Sequence, residues 1–193
     1  STDPYEIKWT STGYTGTNKV KLEFYDGLGW STIDGLAPNS GSYWWNVSTT
    51  TAATDCKIKI SSSDPLQPGT EKISPNFWVH GSIDFSGSQA APKTTSQWTV
   101  GTTQDIKFKV TGKIETVHIY YSKNGGQDYL PTPIKSNVSV SQGMNTVQWY
   151  VPTDQDILSK DQAKLKVVDA ANASVYGTSD NFMVKGIIGS VTP

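Results

Sequence analysis

Ser74-Pro75-Asn76-Phe77-Trp78-Val79-His80-Gly81 is written a second time as Ser179-Asp180-Asn181-Phe182-Met183-Val184-Lys185-Gly186. The match extends upstream with its order kept. Cys56-Lys57-Ile58-Lys59-Ile60 returns as Ala163-Lys164-Leu165-Lys166-Val167, and Trp45-Asn46-Val47 returns as Trp149-Tyr150-Val151. Val20-Lys21-Leu22-Glu23-Phe24 returns as Val117-His118-Ile119-Tyr120-Tyr121, and Ile7-Lys8-Trp9 as Ile106-Lys107-Phe108. A repeat unit of roughly 100 residues is the size of a domain, far above a solenoid repeat. The chain therefore reads as two homologous small domains in tandem.

Each repeated segment alternates. Asp105-Ile106-Lys107-Phe108-Lys109-Val110 and Cys56-Lys57-Ile58-Lys59-Ile60 put apolar side chains on one face and charges on the other. A period of two marks half-buried antiparallel strands. Turn signals separate the strands: Asp26-Gly27, Asn39-Ser40-Gly41, Asn124-Gly125-Gly126 and Ser141-Gln142-Gly143. Short strands with frequent turns predict two all-β units, each an immunoglobulin- or fibronectin-III-like antiparallel sandwich. Helix is nearly absent. One capped turn or a loop is expected within Thr153 to Lys160, where Thr153-Asp154-Gln155-Asp156 carries capping residues.

The expected organisation is module 1 at residues 1–86, a linker or first-strand region at 87–97 and module 2 at 98–193. Gly87 to Ser96 is small and polar and carries a proline, a composition suited to a limited hinge. Gln97-Trp98-Thr99-Val100-Gly101 has no counterpart in module 1, so the first strand of that module is expected to be incomplete. Either the chain is a fragment of a longer multi-module protein, or an open edge accepts a strand from a neighbour.

Composition narrows the function classes. Charged residues are 17% of the chain, below the usual quarter, and the net charge is −1. The 16 basic residues are all lysines, spread singly along strands. Without arginine or a basic stripe, nucleic acid is not an expected partner. No apolar run reaches the roughly 20 residues of a membrane span, so no membrane insertion is expected. Cys56 is the single cysteine, so no intrachain disulfide forms and the residue reads as a packed thiol. His80 and His118 stand alone, with no H-x-H spacing, and give no metal site or catalytic triad. Asp154, Asp156 and Asp161 are expected to cluster in one loop, and carboxylate oxygens suit calcium. The EF-hand pattern is not met there, so calcium is raised without a motif, and no other cofactor is implied. Asp64, Asp128 and Asp169 sit singly by turns and read as turn formers.

The ordered series Ile7-Lys8-Trp9, Val20-x-Leu22-x-Phe24-Tyr25, Gly27-Leu28-Gly29-Trp30, Ile33, Asn39-Ser40-Gly41-Ser42-Tyr43-x-Trp45-x-Val47, Asp55 to Ile60 and Ser74-x-x-Phe77-x-Val79 resembles a known repeat. It is the immunoglobulin-like repeat of the Ser/Thr-rich GPI-anchored, yeast cell-wall-synthesis-like family. The resemblance covers most of both modules. Module 2 departs at Asn124 to Tyr129, which replaces the Gly-Trp turn, and in its longer Leu130 to Met144 connection. The resemblance implies an extracellular or cell-surface β-sandwich in a wall, surface-layer or adhesion setting, and no catalytic site.

The 7 tryptophans divide by strand phase. Trp9, Trp45 and Trp149 fall in phase with Ile7, Val47 and Val151 and are expected in the cores. Trp44 and Trp78 fall out of phase and are expected outside with Tyr25 and Tyr120, while Trp30 sits on a turn. Such aromatics stack on sugar rings, dock a neighbouring module or subunit, or have no role. Asn46, Asn137 and Asn172 each open an N-glycosylation triplet, and Asn137 and Asn172 lie in loop-like stretches. The expected function is non-catalytic: structural or assembly modules of a cell-surface protein, partnered by neighbouring modules of the parent protein and by self-assembly. The competing class is a polysaccharide-binding or accessory module of a secreted glycoside hydrolase, recognised through Trp30, Trp44 and Trp78. An enzyme is not expected.

Overall fold

The computed structural model of the protein describes residues 4–13, 18–47, 53–63 and 70–189. It divides into two compact units, Ser1–His80 and Gly81–Pro193. Both are all-β sandwiches of the immunoglobulin and fibronectin-III type. Asp64 and the segments 1–3, 48–52 and 190–193 lie outside the described residues.

In unit 1, β1 (Tyr5–Lys8) pairs antiparallel with β4 (Ser42–Trp45) to form one small sheet. The facing sheet runs β3 (Trp30–Pro38), β2 (Lys19–Tyr25), β5 (Ala53–Ser62) and β6 (Glu71–Ile73), with β7 (Phe77–Val79) pairing the first half of β5. The alternation seen in the sequence decides which side chains go in. Ile7, Phe24, Trp45, Cys56 and Ile58 are buried between the sheets, with Trp9, Tyr43, Phe77 and Val79 packed against them. Val20, Leu22 and Ala37 extend the core at one end.

Unit 2 repeats the plan and adds to it. Its strands are β8 (Ser82–Asp84), β9 (Gln97–Thr99), β10 (Thr103–Thr111), β11 (Thr116–Ser122), β12 (Lys135–Ser139), β13 (Gly143–Tyr150), β14 (Ser159–Asp169), β15 (Tyr176–Thr178) and β16 (Phe182–Lys185). One sheet runs β13-β10-β8, and the other runs β12-β11-β14-β16-β9 with β15 also on β14. The last pair, β16 with β9, is parallel.

The sequence repeat is a repeat of register. Tyr5 faces Trp45 and Gln104 faces Trp149. Leu22 faces Ile60 and Ile119 faces Val167. Cys56 faces Phe77 and Ala163 faces Phe182. The serine of the opening motif has one task in both copies. Ser74 Oγ accepts from the Ile58 N–H at 3.0 Å, and Ser179 Oγ accepts from the Leu165 N–H at 3.0 Å. Each serine backbone N–H donates to the carbonyl of that same partner, closing the gap where the strand leaves its sheet. The buried backbone groups at the kink are thereby satisfied.

Unit 2 begins before the boundary that composition suggested. Residues 81–86 belong to unit 2, and the linker or first-strand region 87–97 packs on the same unit and leads into β9 at Gln97. Ser82 to Asp84 forms β8 on β10, and Ala91 exchanges both backbone hydrogen bonds with Lys107. Ala90 and Pro92 are buried, and Lys93 Nζ donates to the Phe85 carbonyl at 2.6 Å. Of the small residues that suggested a hinge, Ala90 and Pro92 lie against the sandwich, while Gly87, Ser88, Thr94 and Thr95 are exposed. Thr153 to Lys160 holds only the 3-10 turn Gln155–Ile157, capped by Asp154, before β14 starts at Ser159. No helix among the described residues is long and apolar enough to cross a membrane.

Candidate interaction surface

The outer face of the larger unit 1 sheet is built by residues out of phase with its core. The turn that places Trp30 is set by Asp26, whose Oδ1 accepts from the N–H groups of Leu28 and Gly29, both at 2.9 Å. These two bonds hold the Asp26 carboxyl below its usual range. Gly27 occupies the left-handed region, with φ of 95°, that the turn requires. The turn brings the Trp30 ring to 5.2 Å from Tyr25.

These two rings are not free stacking platforms. Lys59 Nζ lies 4.6 Å from the Trp30 centroid, and Lys57 Nζ lies 5.6 Å from that of Tyr25. Lys59 also pairs with Glu23 at 2.8 Å, as does Lys21. Hydrogen bonds from Lys21 and then Lys59 hold the Glu23 carboxyl below the usual carboxylate range. The face is thus a charged lattice laid over aromatics, stabilised by cation–π contact.

Trp78, 65% exposed, lies on β7 at the far side of the same face. Trp44, 61% exposed, lies on β4 and so on the opposite outer face of the sandwich. Tyr120 belongs to unit 2, where it is half-buried on β11. The five sequence-derived aromatics therefore do not form one row. In unit 1, Tyr25 and Trp30 meet, while Trp44 and Trp78 lie on opposite outer faces. Strand phase gives the face of a residue but not the sheet its strand joins.

Trp44 borders a groove of about 360 Å³ at the sandwich edge, shared with Tyr43, Ser31, Thr32 and Asn46. It joins an indole to hydroxyl and amide groups. Unit 2 carries a second cation–aromatic cluster that strand phase did not single out. Lys166 Nζ lies 4.3 Å from the Tyr176 centroid and 5.8 Å from that of Tyr129. The signal was present only as alternation, with Lys166 outward on β14, because Tyr129 and Tyr176 arrive from a loop and a short strand.

Asp154 and Asp156 have local partners, and Asp161 lies on β14 rather than in their loop. Asp154 Oδ1 accepts from the Asp156 N–H at 3.0 Å, and Asp156 lies 3.4 Å from Lys123. Asp161 sits on β14 with φ of 56°. Among the described residues no three of His, Cys, Asp and Glu come together in a metal-binding arrangement. His118 Nδ1 accepts from the Asn137 N–H at 3.3 Å. Cys56 is buried, and burial pushes its thiol up.

The sequons are placed differently. Asn46 is exposed after β4, with the rest of its triplet reaching residue 48 outside the described residues. Asn137 is exposed on β12, not in a loop, at a bulge opposite His118 with φ of 50°. Asn172 lies in the β14–β15 connection, where its Oδ1 accepts from the Ser174 N–H at 3.1 Å.

No protein-family model matches the chain, and no curated protein matches it. Among solved structures, the fibronectin(III)-like modules of Clostridium thermocellum CbhA align over 96% of this chain and 87% of that one, at 17% identity and a TM-score of 0.35. The Sidekick-1 immunoglobulin domains 1–5 align over 87% of this chain and 33% of that one, at 13% identity and a TM-score of 0.29.

Proposed function

We propose that the two units are non-catalytic structural modules of a cell-surface protein, in a surface layer, a wall-associated protein or an adhesin. The observation that carries this reading is one sandwich built twice in a common register, with large aromatics exposed on both outer faces of unit 1. Side chains of this size and exposure suit contacts between surfaces. Neighbouring modules and further copies of the chain are the partners this reading assigns. Asn137, exposed on an edge strand, is the sequon best placed to carry a glycan. Protease shaving of intact source cells tests the reading. Peptides from both units should be released without lysis. Their recovery from lysate alone would contradict it.

The groove beside Trp44 favours a second reading, a carbohydrate-binding or accessory module. An indole face next to hydroxyl and amide groups suits a sugar ring. Retention on insoluble polysaccharide, lost in Trp44→Ala and kept in Trp78→Ala, would establish it. Equal behaviour of the two variants would remove it.

A further inference from the structure

Unit 2 contains a strand pair that the described part of unit 1 lacks. In unit 2, β8 adds to β10 with Asp84 facing Lys109, Ile83 facing Val110 and Ser82 facing Thr111. Ile83 is buried in the core there. In unit 1 the matching register positions are Thr10, Ser11 and Thr12. There β1 stops at Lys8, and among the described residues no strand lies on its outer edge. Thr10 to Thr12 follow β1 outside any strand, and such an unpaired continuation of a strand edge is open to the addition of a strand.

The other end of the chain carries a segment that fits. Gly186-Ile187-Ile188-Gly189 follows β16 just as Gly81-Ser82-Ile83-Asp84 follows β7, so Ile188 takes the place of Ile83. Ile187 is 63% exposed and Ile188 92% exposed, an apolar pair left in water. The glycine before them points the same way. A Cβ on Gly81 would come within 2.6 Å of Ile114 and 2.8 Å of the Thr111 carbonyl, so that position takes no side chain. A Cβ on Gly186 would meet nothing nearer than Leu158 at 4.0 Å. Its own unit makes no demand for glycine there, whereas a strand seated like β8 does.

We propose that the segment Ile187-Ile188-Gly189 of one copy adds as an antiparallel strand to Thr10–Thr12 of unit 1 in a second copy, with Ile188 facing Ser11. This deepens the assembly reading given above and rests on it. The contact joins two different surfaces, so it propagates head to tail rather than closing at a dimer. It is weaker than the intramolecular pair it copies. In unit 2, β8 lies against Gly177, where a Cβ would strike the Ile83 backbone, and unit 1 has Lys72 at that register position. Assembly is therefore reversible and depends on concentration.

Light scattering on the full chain across a concentration series tests this. The average mass should climb above 21.0 kDa without a plateau at the dimer. Ile188→Asp, and separately removal of residues 187–193, should hold it at the monomer with an unchanged β-sheet circular dichroism spectrum. Lys72→Gly should strengthen association several-fold. Assembly that ignores both tail changes would overturn the strand addition and leave the assembly reading standing. A monomer at every concentration would also overturn it, while cell-surface shaving judges the functional reading independently.

Discussion

At the scale of residues, the repeat conserves jobs more than identities. Phe24 and Tyr121 hold the same position, packed on Trp45 at 4.7 Å and on Trp149 at 5.6 Å. The tyrosine adds a hydroxyl that donates to the Ile157 carbonyl at 2.5 Å. Tyr121→Phe leaves that buried carbonyl unpaired and should lower unit 2 stability by about 1–3 kcal/mol, measured by urea unfolding. Cys56 and Ala163 also share a site, each a small, fully buried side chain opposite a phenylalanine. Burial raises the Cys56 thiol, so a thiol reagent should modify it only as unit 1 opens. Glu23 sets an acid limit. Its carboxyl is held below the unfolded value of about 4.3, so it binds fewer protons folded than unfolded. Its contribution is complete above that value and is lost as pH falls through the folded one. Acid titration of Glu23→Gln should show a flatter profile for unit 1 than the parent protein. The aromatic at Trp98 was legible as strand composition, but its burial was not. It packs 4.6 Å from Phe182 and 5.9 Å from Trp149, and no local pattern in Gln97-Trp98-Thr99 announces those partners.

At the scale of elements, alternation and turn chemistry were enough to place the shared strands and their inward faces. Composition left 87–97 open as a linker or a first-strand region, because its residues are small and polar and the packing partners of this stretch lie far along the chain. The strands β8 and β9 divide between the two sheets, with β8 on β10 and β9 parallel to β16. Their absence from the described part of unit 1 leaves Phe77, Val79 and Val47 half-buried, where Phe182, Val184 and Val151 are buried. Trp98→Ala should cost unit 2 about 3–5 kcal/mol, lowering its thermal transition and sparing that of unit 1. A β-branched side chain at Gly177 should act at the same seam. Gly177→Val places its Cβ against the Ile83 backbone, so it should expel β8 and expose Lys109 and Thr111 to rapid amide exchange.

At the scale of the whole molecule, one sandwich plan is built twice, and among the described residues only unit 2 has the strands β8 and β9. The tandem was legible before any strand, because the register that pairs the strands is also the spacing of the repeat. The interaction surfaces were only partly legible. Outward phase identified Trp44 and Trp78, but the topology puts them on opposite faces, and the lysines over Trp30 and Tyr25 could not be inferred from spacing. Hydrogen exchange on the dilute full chain tests the central claim most directly, by comparing equivalent strands. The amides of Lys109 to Thr111 and Phe182 to Val184 should exchange slowly, and those of Thr10 to Thr12 and Phe77 to Val79 much faster. Equal protection at the two sets of positions would contradict the claim that the described part of unit 1 is the same sandwich without the strands that β8 and β9 add to unit 2.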